Sequence, residues 1–318
     1  MKFKQLFNLG GLILAWIVIF GFIWWRVPTF ATSHNIELIA RQTTIVAMAA
    51  LGMTFVIIAG EIDLSVGSAV ALVTVAIAWL LKAGYNPWIC LLGGVAAGAI
   101  SGLLNGSLVT KLRVGSFIVT LGSLLIFRGA AKGLANEQKI DAPPSWLSDV
   151  ISSLPPEKKW MVFPPGVWMM FIFALITAWI LKSTRFGRHV VAVGSNESAA
   201  RLCGVPVERV KLGVFVLMGF FVGLSGLTQF SYLTVGDPTV AQGLELNVIA
   251  AVVIGGASLS GGQGTILGSL IGAFIMSTIG AGGSQMGWPN WVQEIVTGGI
   301  IVAAVALDRW RLSRSAAK

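Results

Sequence analysis

Residues 182–211 read KSTRFGRHVVAVGSNESAARLCGVPVERVK, a polar and mostly basic stretch between two hydrophobic segments. Its charged residues are the basic Lys182, Arg185, Arg188, Arg201, Arg209 and Lys211 and the acidic Glu197 and Glu208. An excess of Lys and Arg beside hydrophobic spans marks the cytoplasmic side of a membrane. The stretch therefore predicts a cytoplasmic loop, and functional contacts are expected there first.

One short helix is predicted inside this loop. Ser195 or Asn196 can accept a hydrogen bond from a first-turn N–H, and residues 198–203 form a compact face of small residues. Gly204 followed by Pro206 ends the helix. Because a two-turn helix is weak by itself in water, it is expected to dock into a partner. The alternative is a solvated connector.

The composition of the whole chain predicts a polytopic membrane protein. Hydrophobic residues make up 55% and charged residues 11% of the 318 residues, and the mean hydropathy is +0.84. Soluble domains usually carry about 25% charged residues, so this apolar surface cannot all be hidden in a water-soluble core. The 39 glycines predict closely packed helices, because helices in lipid associate where small residues let the backbones approach.

Nucleic-acid binding and a disulfide framework are not indicated. The sequence pI of 9.9 comes from basic residues at the ends of hydrophobic segments, without the interleaved aromatic residues of a nucleic-acid surface. The two cysteines, Cys90 and Cys203, fall in an apolar segment and in the polar loop, so they are not expected to pair.

Ten membrane spans are predicted, which gives one all-α transmembrane helix bundle over residues 1–318. The predicted spans are 9–25, 43–59, 64–81, 88–109, 117–134, 166–181, 212–232, 246–254, 266–279 and 291–307. With this layout fourteen Lys or Arg residues lie on one side of the membrane and eight on the other. The bias predicts that both termini are cytoplasmic and that the proline-rich loop 135–164 is periplasmic.

An internal repeat is visible in two short segments. Residues 63–67 (DLSVG) align with residues 258–262 (SLSGG), and each segment joins two predicted spans. Transporters are often built from related halves with the substrate path at their junction. The match predicts two related halves, and chance similarity between glycine-rich segments is the alternative.

Four motifs together resemble the permease subunit of ribose-type ABC importers of monosaccharides. They are residues 60–68 (GEIDLSVGS), residues 117–122 with Arg128 and Gly129, residues 194–205, and residues 249–264. In the first motif the family residues are Gly60, Asp63, Leu64, Ser65 and Gly67. The resemblance covers nearly the whole chain and implies the ABC importer permease fold.

The resemblance also implies a function and a set of partners. It implies a multi-pass permease of the bacterial inner membrane, surrounded by lipid, which forms a homo- or heterodimer with a second permease copy. It receives a monosaccharide from a periplasmic sugar-binding protein and is driven by a separate cytoplasmic ABC ATPase subunit. This chain has no phosphate-binding GxxxxGK[ST] loop, in agreement with ATP being bound elsewhere. No enzymatic activity, cofactor or metal is expected, since two isolated histidines supply neither a nucleophile with its base nor a metal cluster.

The coupling site is carried over from the resemblance. Ser198, Ala199, Ala200 and Gly204 match the general ABC-permease pattern Glu-Ala-Ala followed by Gly, with serine in place of glutamate. The resemblance therefore assigns the ATPase contact to Asn196, Glu197, Ser198, Ala199, Ala200, Arg201, Leu202, Cys203 and Gly204.

Polar residues within or near the spans are candidates for the substrate path. Asn105, Phe117, Thr120 and Asn247 are selected, because a sugar needs donors and acceptors beside an aromatic face. For each polar residue the alternative is a hydrogen bond between helices. Glu61 and Asp63 could serve as an intramembrane proton or substrate site. The favoured alternative is a short turn at the inner interface, in which Asp63 caps a helix that starts at Leu64.

Two other transporter classes remain as alternatives. An ABC permease for branched-chain amino acids is the nearest one. An ion-coupled secondary transporter would usually bury a charged residue at mid-span, yet the span interiors are almost free of Asp, Glu, Lys and Arg. The pattern therefore favours an external source of energy.

Overall fold

The computed structural model describes residues 2–316, with side chains at 9–158 and 160–306. Met1, Ala317 and Lys318 lie outside the described residues. The predicted charge bias also used side chains that are not described, those of Lys2, Lys4, Lys159, Arg309, Arg311, Arg314 and Lys318.

Helices make up most of the described chain. They are α1 (Lys2–Arg26), α2 (Ser33–Ile58), α3 (Val66–Lys82), α4 (Pro87–Leu112), α5 (Ser116–Leu134), α6 (Pro165–Ser183), α7 (Arg185–Ser195), α8 (Glu197–Leu202), α9 (Val207–Leu233), α10 (Leu244–Ile254), α11 (Ile266–Gln285) and α12 (Asn290–Ala316). Within residues 2–316 the only sheet pairs β1 (Ile140–Asp141) with β2 (Val235–Gly236), antiparallel, with Ile140 opposite Gly236. The predicted helical membrane fold is confirmed.

Seven of the described helices are long and apolar enough to cross a membrane, namely α1, α2, α4, α5, α6, α9 and α11. Three shorter apolar helices are α3, α10 and the first part of α12, Asn290–Ala306. These helices correspond to the ten predicted spans. Helix α2 begins at Ser33, ten residues before the predicted start, because its polar first turns pack against the loop 135–164 rather than against lipid.

Helices α4 and α9 pack backbone to backbone. Glycine recurs every four residues along α4, at Gly94, Gly98, Gly102 and Gly106. A Cβ atom on Gly98 would lie 2.5 Å from the carbonyl oxygen of Gly219, and one on Gly102 would overlap the carbonyl oxygen of Phe215 in α9. This close approach is the packing that the high glycine content predicts.

The bundle has two ends. The α8 end is formed by α8, the segment 59–65 and the linker 255–264, and there the N–H of Gly262 donates to the carbonyl oxygen of Ile58 at 2.8 Å. The β end is formed by β1, β2 and the loop 135–164. Helix α9 runs from the α8 end to the β end.

The loop 135–164 covers the β end. Its Leu147 and Ile151 are fully buried, and the N–H of Ile151 donates to Oγ of Ser231 at 2.9 Å. The N–H of Leu154 donates to a carboxylate oxygen of Glu37 at 3.1 Å. The prolines limit its regular structure to β1 and two short 3-10 helices, Trp146–Asp149 and Pro156–Met161.

The two segments predicted to be related share one local turn. Oδ1 of Asp63 accepts a hydrogen bond from the N–H of Ser65 at 2.8 Å, and Oγ of Ser258 accepts one from the N–H of Ser260 at 3.3 Å. Each turn precedes an apolar helix, α3 or α11. The shared turn supports the predicted repeat.

Candidate functional site

The loop 182–211 contains two helices, so the prediction of a single short helix is wrong. Helix α7 precedes α8, and its buried Val190 and Val193 pack against the core, a short pattern that the surrounding basic residues concealed. The prediction of the α8 cap is confirmed, because Oδ1 of Asn196 accepts a hydrogen bond from the N–H of Ala199 at 2.9 Å. Gly204, at φ +80°, follows the end of the helix.

The predicted coupling residues differ in how far their side chains are exposed to solvent. The side chain of Ala200 is 5% exposed and belongs to the hydrophobic core of this chain, so Ala200 cannot present its side chain to a partner. Leu202 is 90% exposed, which is unusual for an apolar side chain. The α8 surface is defined here as the exposed Ser198, Ala199, Leu202 and Cys203. The other exposed members of the predicted set are Asn196, Glu197, Arg201 and Gly204.

A cluster of ion pairs holds α8 against the bundle. Arg201 pairs with Glu197 at 3.1 Å and also with Glu208. Nζ of Lys211 lies 2.8 Å from Oε2 of Glu197 and 2.6 Å from Oε1 of Glu61. The hydrogen bond from Lys211 holds the pKa of the Glu197 carboxyl below its ordinary value against the effect of burial, with Arg201 acting in the same direction as Lys211. Glu197 is therefore a carboxylate at neutral pH.

A buried polar centre lies where the chain enters α3. Oδ1 of Asp63 accepts hydrogen bonds from the N–H and the hydroxyl of Ser65 at 2.8 and 2.6 Å, and Nδ2 of Asn105 donates to Oγ of Ser65 at 2.9 Å. The helix begins at Val66 rather than at Leu64, so Asp63 forms the turn before the helix instead of capping its first turn. Asp63 is 2% exposed, so its carboxyl group is enclosed by protein.

The four predicted substrate-path residues do not converge. Asn105 and Thr120 belong to the polar centre, where the hydroxyl of Thr120 donates to the carbonyl oxygen of Ser116 at 2.8 Å. Phe117 is 54% exposed on the outside of α5. Asn247 lies in the wall of a cavity.

This cavity, of about 760 Å³, lies between α2, α10, α11 and α12. Its wall includes the polar or aromatic side chains of Gln42, Asn247, Ser277, Gln285, Trp288 and Gln293. Oγ of Ser277 is enclosed and has no hydrogen-bond partner among the described residues. Among these, only Asn247 was predicted as a substrate-path residue, since only the packing of distant helices brings the others to it.

The starts of α3 and α10 meet inside the bundle. A Cβ atom on Gly67, in the first turn of α3, would overlap the carbonyl oxygen of Ala241 and the carboxylate of Glu245. Gly243 and Asn247, at the start of α10, line the cavity. The start of α3 thus contacts Ala241 and Glu245, which are neighbours in sequence of the cavity-lining Gln242 and Leu246.

The apolar helices, the capped surface helix at one end and the polar cavity towards the other define a polytopic helical membrane permease. The chain belongs to the family described as branched-chain amino acid transport system / permease component, whose model matches residues 35–305.

Individual relatives are similar over nearly their whole length. The L-arabinose ABC transporter permease protein AraH of Azospirillum brasilense is 36% identical over 307 residues, covering 96% of this chain and 89% of the relative. The ribose import permease protein RbsC of Escherichia coli K12 is 36% identical over 296 residues, covering 93% of this chain and 92% of the relative. The xylose transport system permease protein XylH of Haemophilus influenzae is 34% identical over 340 residues, covering 88% of this chain and 90% of the relative.

Proposed function

We propose that this chain is the membrane-spanning permease of an ATP-driven ABC importer that carries a monosaccharide across the bacterial inner membrane. The observation that carries the proposal is the similarity, along about nine-tenths of the chain, to permeases named for L-arabinose, ribose and xylose. The chain itself is not an enzyme in this proposal, because ATP hydrolysis belongs to a separate subunit.

The alternative substrate is a branched-chain amino acid, as in the description of the family. An amino acid at neutral pH carries a carboxylate, and a charge that leaves water is usually paired with an opposite charge. Of the described residues that line the cavity only Glu294 is ionisable, so no basic side chain is there to pair with a carboxylate, and the remaining polar groups are amides, hydroxyls and one indole. This lining favours a neutral polyol, and we assign the outer part of the sugar path to the cavity.

The α8 surface is the proposed contact with the cytoplasmic ATPase. Its exposed Leu202 suits a desolvated cleft on a partner, in the way that an amphipathic helix binds in a groove. The loop 182–211 is then the cytoplasmic coupling loop and 135–164 the periplasmic loop that faces the sugar-binding protein. Both termini are cytoplasmic in this orientation, which rests on the Lys and Arg count.

The test is reconstitution of the chain in vesicles with its ATPase and binding protein. The complete system is expected to import sugar only with ATP, and the chain alone is expected to show neither ATP hydrolysis nor uptake driven by an ion gradient. Leu202→Glu places a charge in the proposed contact, at a cost of about 3–5 kcal/mol. Since each 1.4 kcal/mol is about a factor of ten, ATPase binding is expected to weaken by more than about a hundredfold.

Arg188→Glu is the matched control, because Arg188 is exposed on α7 in the same loop but outside the α8 surface. It is expected to bind ATPase and to import sugar as the wild type does. Sugar uptake that is driven by a proton or sodium gradient in the absence of the ATPase would contradict the ABC proposal. Wild-type ATPase binding by Leu202→Glu would show that α8 is only a connector.

A further inference from the structure

Lys211 is bonded to two carboxylates from different parts of the chain. Glu197 is the first residue of α8, and Glu61 belongs to the segment 59–65 that leads from α2 into α3. The Lys211 ammonium lies 2.8 Å from a carboxylate oxygen of Glu197 and 2.6 Å from one of Glu61. The Lys211 side chain, in the second turn of α9, thus joins the surface helix to the interior segment.

The Lys211 junction is more enclosed than the other ion pairs of α8. The side chains of Lys211 and Glu61 are 17% and 10% exposed, whereas those of Arg201 and Glu208 are 52% and 50% exposed. Enclosed pairs are screened less by water and salt than exposed ones. Lys211 is also the only ion-pair partner of Glu61 among the described residues, so the position of Glu61 depends on it.

The segment that holds Glu61 leads to the cavity. The N–H of the next residue, Ile62, donates to Oγ of Ser116 at 3.1 Å, and the segment continues through Asp63 into α3. Gly67 in the first turn of α3 lies against Ala241 and Glu245, whose sequence neighbours Gln242 and Leu246 line the cavity. A continuous chain of contacts therefore runs from α8 through Lys211 and the segment 59–65 to the start of α10, beside residues that line the cavity.

We propose that Lys211 is a positioning residue that transmits movement of α8 to the segment 59–65 and so to the start of α3. When the ATPase displaces α8, Glu197 moves Lys211, and Lys211 moves Glu61. The inference rests on the proposed function, because it takes α8 to be the contact with the ATPase. It predicts that when the Lys211–Glu61 ion pair is broken the ATPase stays bound, but ATP hydrolysis drives less sugar transport.

The test compares Glu61→Gln with Glu208→Gln in the reconstituted system. Glu61→Gln removes the inner charge but keeps the shape of the side chain, and Glu208→Gln removes only the exposed pairing with Arg201. The measured quantity is sugar imported per ATP hydrolysed, together with the amount of ATPase that co-purifies. Coupling between sites is typically worth 5–150-fold, so Glu61→Gln is expected to lower the ratio about fivefold or more with ATPase binding unchanged. Glu208→Gln is expected to keep the wild-type ratio.

A second measurement needs only the permease. Lys211→Met is expected to speed amide hydrogen exchange in the segment 59–65, whereas Glu208→Gln is expected to leave that segment protected. If the wild type itself fails to bind an ATPase, the proposed function fails. The exchange measurement still tests whether the Lys211–Glu61 ion pair holds the segment 59–65. The inference would be overturned if Glu61→Gln kept the wild-type ratio of sugar to ATP or lost ATPase binding. It would also be overturned if amide exchange in the segment 59–65 were unchanged in Lys211→Met.

Discussion

Ser277 and Asn247 face the same cavity from neighbouring helices, α11 and α10. The hydroxyl of Ser277 is enclosed and has no hydrogen-bond partner among the described residues, and an unmade hydrogen bond on a buried group is costly. A hydroxyl of a bound sugar would supply the missing partner. Ser277 is therefore the single side chain of the cavity most directly matched to the proposed substrate.

Ser277→Ala is expected to raise the KM for sugar import about fivefold to tenfold, the loss of a hydrogen bond worth about 1 kcal/mol. Stability is expected to be unchanged or slightly higher, because the substitution removes a buried polar atom that has no partner. The matched control is Ser269→Ala on the same helix, since Ser269 bonds to Thr54 away from the cavity. Equal KM values for Ser277→Ala and the wild type would contradict this role.

At the scale of elements, the contact between α4 and α9 depends on glycines. The residues of α4 that face α9 recur every four positions, so they form one stripe along the helix. Without a hydrophobic driving force between helices in lipid, this close backbone contact is what joins the two helices. The stripe fixes the position of α9, which begins next to α8 and carries Lys211 in its second turn.

Gly102→Val is expected to force α4 away from α9, because even its Cβ atom overlaps the carbonyl oxygen of Phe215. Overpacking typically costs about 1–3 kcal/mol, and rigid backbone in the contact puts this substitution at the upper end. The measurement is the midpoint of thermal unfolding in detergent. Gly122→Val in α5 is the control, since no atom lies within 4 Å of a Cβ atom there. Equal midpoints for the two variants would refute the glycine contact.

At the scale of the whole molecule, the two native cysteines suit a test of orientation. Cys90 is fully buried and Cys203 is exposed at the end of α8. An impermeant thiol reagent is expected to label Cys203 in inside-out vesicles but not in intact spheroplasts. Lys158→Cys, in the loop 135–164, is expected to show the opposite pattern, because that side chain is exposed at the β end. Labelling of Cys203 from outside would reverse the proposed orientation.

The helices and their approximate ends could be predicted from the amino-acid sequence. Hydropathy, capping and chain breaks are local properties, so ten apolar segments and the Asn196 cap could be read from neighbouring residues. The short amphipathic helix α7 was not predicted, because two buried valines among basic residues give too weak a hydrophobic pattern. The extra turns of α2 were missed, because polar residues there pack against a folded loop rather than against lipid.

The side chains that face one another could not be predicted from the sequence and are known from the packing of the helices. This packing placed Ala200 in the core and Leu202 in solvent, although both belong to one matched motif. It also brought Glu61 to Lys211 and assembled the cavity from four helices. The physical reason is that a helix fixes the spacing of its own residues, whereas its rotation and depth are set by packing against distant helices, here through glycines that allow close contact.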